Sequence, residues 1–86
     1  MSVTVQLTYD MSKAVGEARL EIDGARTVAD VLRATRERFP DPARFDQLAR
    51  VTAVAVNGVL ASYKRGKSTS VADGDTIAFV KAAAGG

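Results

Sequence analysis

The sequence contains neither cysteine nor histidine. Their absence excludes disulfides, thiol nucleophiles, imidazole bases, zinc sites and haem ligation. The remaining chemical groups are carboxylates, lysines, tyrosines, hydroxyls and the two chain termini, a poor kit for a self-sufficient enzyme. Long apolar runs are missing too: none approaches the ~18 residues of a membrane span. Met1 to Asp10 alternates apolar with polar residues, where a signal peptide would carry a basic start and an apolar stretch. A cytoplasmic protein with no membrane partner is expected. Internal repeats, low-complexity segments and domain linkers are likewise absent.

Charge of one sign is scarcely in excess. Twelve basic residues against ten acidic ones leave a net charge of +2, with the two signs interspersed. Such a balance gives no electrostatic footprint for nucleic acid. At 86 residues the chain falls within the ~50–200 residues of one domain. With 47% hydrophobic residues and no cross-links, its core must suffice alone.

The periodicity predicts an α+β fold. Val3, Val5 and Leu7 alternate with polar residues, as in a strand with one buried face closed by Tyr9. Asp10 to Gly16 carries no periodic signal and reads as a short loop. Ala18, Leu20 and Ile22 then alternate toward an Asp23-Gly24 turn, which completes a hairpin. Thr27 is the expected N-cap of a helix over Val28 to Phe39, with Asp30 as the reciprocal partner of a capping box. Val28, Val31, Leu32, Thr35 and Phe39 share its inner face, and Arg33, Arg36 and Glu37 its outer one. Pro40 ends the helix, because a proline disfavours helical geometry in the residue before it.

Beyond it, "DPARFDQLA" predicts an irregular or single-turn connection pinned by Phe45 and Leu48. "VTAVAVNG" is apolar almost throughout and reads as a more deeply buried strand ending in an Asn57-Gly58 turn. A weak strand is expected at Val59 to Ala61, then a polar, basic loop. The last strand is Thr76 to Val80, with Ile77 and Phe79 on one face. One main helix therefore packs across one face of a mixed sheet of four to five strands.

Three stretches carry candidate chemistry. "GKST", Gly66 to Thr69, matches the end of a phosphate-binding loop, but the full spacing needs glycine where Ala61 stands, and a turn and strand follow instead of a helix. A solvated loop is the better reading. Asp73 and Asp75 flank Gly74 and could face a cation, yet their spacing fits no calcium loop and suits a tight turn. Arg33, Arg36, Arg38, Arg44 and Arg50 form a basic set, read either as a solvated helix face or as a surface for an acidic partner.

The end of the sequence is the most informative part. It closes on "AAAGG", Ala82 to Gly86, directly after the last strand. Extended, Lys81 to Gly86 would reach ~20 Å at ~3.3 Å per residue, enough to thread a channel of another protein. Alanine and glycine are the side chains a narrow channel admits. The group at the tip would be an ionised α-carboxylate, which is a poor electrophile until another protein activates it.

"VADGDTIAFVKAAAGG", Val71 to Gly86, resembles the ending of the ubiquitin-like sulfur carriers of the MoaD/ThiS group. The Asp73-Gly74-Asp75 turn, the strand through Ile77 and Phe79, and a tail closing on Gly85-Gly86 carry the likeness, and the upstream element order is compatible along the whole chain. The resemblance implies a ubiquitin-like β-grasp domain over residues 1–80 and a flexible tail over residues 81–86. It implies a protein sulfur carrier and not an enzyme, with no cofactor bound by this chain. A separate adenylating enzyme would use Mg-ATP to activate the Gly86 carboxylate, and a cysteine desulfurase or rhodanese-like donor would supply the sulfur of a thiocarboxylate. A synthase would accept it, the nearest type being molybdopterin synthase, whose small subunit this chain resembles. Gly85, Ala84, Ala83, Ala82, Lys81, Phe79 and Leu60 are then the expected partner-binding residues. Lys81-Ala82-Ala83 stands where molybdopterin-type carriers commonly have a Pro-Pro-Val-like segment. That leaves thiamine, cysteine, tRNA-thiolation and secondary-metabolite pathways open, and also conjugation of Gly86 to lysines of other proteins.

Overall fold

A computed structural model describes residues 1–81 of the chain. β1 (Ser2–Gln6) and β2 (Arg19–Asp23) pair antiparallel, with Val3 opposite Ile22 and Val5 opposite Leu20 on the buried face. The connection between them differs from the loop expected: residues Tyr9–Val15 form a helix, α1. Thr8 caps it by accepting from the Met11 amide at 3.2 Å, and Gly16 closes it in the left-handed conformation at φ 92°. Tyr9 therefore opens a helix and does not close the strand. Met11 is its only fully buried side chain, with Ala14 and Val15 partly buried beside it at helical spacing, a period too short to stand out in the sequence.

α2 (Val28–Glu37) follows the capping-box expectation: Thr27 Oγ1 accepts from the Asp30 amide at 3.3 Å, and Asp30 Oδ2 accepts from the Thr27 amide at 3.2 Å. Val28, Val31 and Thr35 face the sheet, and the buried Thr35 hydroxyl donates to the Val31 carbonyl at 2.8 Å. The helix stops two residues short of Phe39, whose ring is nevertheless buried. The connection after Pro40 is more regular than the single turn expected. Asp41 caps α3 (Pro42–Ala49), with Pro42 in its first turn, and Phe45 and Leu48 pin it to the core.

β3 (Thr52–Val56), β4 (Val59–Leu60) and β5 (Thr76–Lys81) complete a five-stranded sheet in the order β2-β1-β5-β3-β4. β5 sits in the centre, parallel to β1 and antiparallel to β3. The β3–β4 hairpin turns through Asn57 and Gly58, both at positive φ, as a two-residue turn with matching twist requires. The helices cover one face, and Val5, Ile77, Val31 and Met11 are buried between them and the sheet. β3 is less buried than its apolar sequence suggests: only Ala55 and Val56 of its five residues are buried.

Candidate functional site

The face of the sheet turned away from the helices changes character from one edge to the other. Residues opposite one another on neighbouring strands point to the same side. Since Ile77 and Phe79 point into the core, Ala78 and Val80 point out of it. Across β5, Ala55 stands opposite Ala78 and Ala53 opposite Val80; Leu60 stands opposite Ala55 on the far side of β3. These five residues form an apolar half-face, from which Val80 is the most exposed at 46%.

On the other side of β5 the same rows turn polar. Gln6 is opposite Ala78, Arg19 opposite Gln6, and Glu21 opposite Thr4. The hydroxyls of Ser2 and Thr4 donate to the Glu21 carboxylate at 2.8 and 2.7 Å, holding its pKa below the usual value. In that half the Glu21 carboxylate is satisfied within the chain, and Gln6 and Arg19 are exposed. The apolar half has no polar side chain among these five: Val80 is exposed, Ala53, Leu60 and Ala78 are half-buried and Ala55 is buried between them, and apolar side chains grouped at a surface suit a protein contact.

Lys81 ends β5 opposite Thr52 and is exposed. At this corner an open hollow of about 570 Å³ is lined by Gln6, Thr8, Tyr9, Ala78, Val80 and Lys81, among others. Tyr9 is 74% exposed there, and the Lys13 ammonium lies 5.3 Å from its ring centroid. The start of α1 thus flanks the end of β5.

Of the residues expected to meet partners, Leu60 lies on the apolar half-face and Lys81 at its corner. Phe79 is in the core: 5% exposed, it meets Phe45 edge-to-face at 6.0 Å, and Phe45 meets Phe39 the same way at 5.3 Å. The exposed apolar side chain of that strand is its neighbour Val80. Ala82, Ala83, Ala84, Gly85 and Gly86 lie outside the described residues. Sequence reasoning missed Ala53, Ala55, Ala78 and Tyr9. The signal for the alanines was present in "VTAVAVNG", a strand apolar on both faces although one is uncovered.

The other stretches take ordinary roles. Gly66–Ser68 is a single 3-10 turn with no α-helix behind it, so "GKST" lacks the helix N-terminus a phosphate would need. Asp73 Oδ1 accepts from the Ser2 amide at 2.8 Å, and the two Asp75 oxygens accept from Asn57 Nδ2 and the Ala72 amide, so these carboxylates build turns. Among the described residues no cluster of metal-ligating side chains forms. No helix among them is long and apolar enough to cross a membrane.

Comparison with known proteins agrees with this architecture. The family model described as the ThiS family matches residues 5–86. Among solved structures, a chain of the Amycolatopsis orientalis BexX/CysO complex is 27% identical with a TM-score of 0.79, over 98% of this chain and 99% of that one. Small archaeal modifier protein 1 from Methanosarcina acetivorans is 21% identical with a TM-score of 0.77, over 99% and 96%. A putative molybdopterin converting factor subunit 1 from Pyrococcus furiosus is 20% identical with a TM-score of 0.75, over 96% and 99%. No curated protein matches the sequence significantly.

Proposed function

The chain belongs to the ThiS family and is a ubiquitin-like β-grasp protein of the carrier or modifier type, not an enzyme; from that premise we propose that it carries sulfur on the carboxylate of Gly86. In this reading an activating enzyme joins the carboxylate to the AMP of Mg-ATP and releases pyrophosphate. A sulfide-level nucleophile then displaces AMP to leave a thiocarboxylate. If a cysteine desulfurase or rhodanese-like protein delivers the sulfur as a persulfide, an acyl disulfide forms first and a second thiol cleaves it. The acceptor enzyme takes the sulfur, and hydrolysis restores the carboxylate. In this reading the activating enzyme holds the nucleotide, and this chain supplies a rigid handle and a docking face.

The observation that carries the reading is the family match running through to Gly86 on a scaffold whose central strand ends at Lys81 beside an apolar half-face. The pathway we propose for the sulfur is molybdopterin synthesis, as the small subunit of the synthase, which rests on the resemblance of Val71 to Gly86. The test is intact-mass measurement after incubation with a cognate activating enzyme, Mg-ATP and a sulfur donor. The gain of one oxygen-for-sulfur exchange at Gly86 is expected. An unchanged mass with proven partners would overturn sulfur carriage, and adducts on target lysines alone would favour protein conjugation. For the pathway, the loaded protein should convert precursor to molybdopterin with the synthase large subunit; loading without conversion would send the sulfur elsewhere.

A further inference from the structure

The function proposed above uses the open face of the sheet and the chain beyond Lys81. The helical side carries a separate surface. Between α2, α3 and the β3–β5 pair lies an open groove of about 480 Å³ whose apolar lining includes Leu32, Phe45, Val54 and Phe79. Its rim carries Arg33, Arg36, Arg50 and Lys67. Asp46 is the only acidic residue in that lining, and it is already taken: Arg36 Nε and Nη2 donate to its two oxygens at 3.0 and 3.1 Å. Arg33 is met by Asp30 at 3.2 Å. Among the described residues neither Arg50 nor Lys67 makes a salt bridge, Arg50 reaching Asp46 only as a through-space charge that Arg36 outweighs, and both are exposed.

We propose that this groove docks an acidic, amphipathic segment of a partner protein, with aliphatic or aromatic anchors on the floor and carboxylates against Arg50 and Lys67. Covering the groove with a neutral surface would desolvate both cations without pairing them, which is costly; carboxylates on the partner remove that cost and speed the encounter. Apart from Thr52, whose hydroxyl donates to the Ala49 carbonyl at 3.1 Å, the polar side chains of the lining are charged, which is unlike the convergent set of neutral and charged groups that orients a small ligand. Nucleic acid fits less well, because Phe45 and Phe79 are each 5% exposed and the groove offers no free ring on which a base could stack. An apolar trough between charged edges suits an amphipathic helix that places residues three and four apart along its floor. The site lies on the face opposite Val80, so it would be open while the sheet face is engaged, and it does not depend on chemistry at Gly86.

The test is selection of a displayed random-peptide library on the full chain. Binding is then compared with the variant Arg50→Glu/Lys67→Glu and mapped by amide shifts of the isotope-labelled protein. The expected peptides combine Asp or Glu with apolar residues at three- and four-residue spacing. They should bind the double variant about tenfold more weakly or worse, and should shift Leu32, Ala49 and Val54 while leaving Ala78 and Val80 in place. Both replaced side chains are exposed, so the variant should keep its melting temperature; Lys67→Glu alone provides the readout if it does not. The proposal is overturned by peptides without acidic enrichment, by equal binding to the variant, or by shifts confined to the open face. It is also overturned if the same substitutions abolish self-association or binding of a single-stranded RNA oligonucleotide in place of peptide binding.

Discussion

Asn57 and Asp75 hold two turns together. Asn57 Nδ2 donates to Asp75 Oδ1 at 3.0 Å, while Asn57 Oδ1 accepts from the Thr76 amide at 2.9 Å, so the β3–β4 hairpin is bound to the start of the central strand. Asp75 Oδ2 accepts from the Ala72 amide at 2.8 Å. The Asn57 and Ala72 hydrogen bonds, in that order, hold the Asp75 carboxyl below the usual aspartate range.

Acid should therefore loosen this junction. A folded-state pKa below the unfolded one means that the stabilisation is complete above about pH 5 and is lost as pH falls through the folded value. Glu21, Asp30 and Asp46 shift in the same direction and add to the slope. Urea midpoints should fall between pH 6 and pH 3, and Asp75→Asn should be less stable at pH 6 with a shallower fall. A midpoint in Asp75→Asn with the wild-type pH dependence would remove Asp75 from this account.

Val80→Glu separates docking from folding. With the side chain 46% exposed, the substitution should change stability by about 1 kcal/mol or less, the span of strand preferences. Affinity for the activating enzyme should drop by about thirtyfold, equivalent to a contact worth about 2 kcal/mol. Calorimetric titration beside a thermal melt checks both, and wild-type affinity would move the docking surface off this face.

Deleting Gly86 should give the complementary result. Docking on the sheet face would persist, with affinity for the activating enzyme changed by less than about tenfold. No adenylate or thiocarboxylate would form. Pyrophosphate release and intact mass report the chemistry, and loading on Gly85 in the truncated protein would show that the tip position is not specified.

Phe79→Ala tests the core assignment. Truncating a buried phenylalanine costs about 3–5 kcal/mol, a large share of the 5–15 kcal/mol typical of a whole domain. Chemical denaturation of Phe79→Ala, Phe45→Ala and the double variant should also reveal a coupling of about 0.5–1.5 kcal/mol for the edge-to-face pair. Independent, additive losses would mean that the ring geometry contributes nothing beyond burial.

Much of the fold was legible because the relevant residues alternate or cap. Val3 and Val5 against Leu20 and Ile22, the Thr27–Asp30 box and the Asn57-Gly58 turn all state their structure locally. α1 was missed although Met11, Ala14 and Val15 stand at helical spacing on its inner face, because only Met11 is fully buried and the stretch is too short for the pattern to repeat. Thr8 and Gly16, at the spacing of an N-cap and a C-terminal stop, were the available clue. α3 had the same kind of clue in Asp41-Pro42, a cap followed by proline in the first turn. Along β5, alternation alone did not distinguish Phe79 from Val80, because both are apolar and only the side on which α2 and α3 lie decides which is covered. The alanines at 53, 55 and 78 hid the apolar half-face for a related reason: a sheet that is apolar on both faces looks, in one dimension, like core.

The central place of β5 also has a mechanical meaning. A pull applied at Lys81 along the strand loads the ladder with β1 and the ladder with β3 together, and both resist it in shear. An edge strand under the same force would peel away one hydrogen bond at a time. Under the proposed function, a partner drawing on the chain beyond Lys81 would haul on this domain without unravelling it, and the sheet would act as a stop.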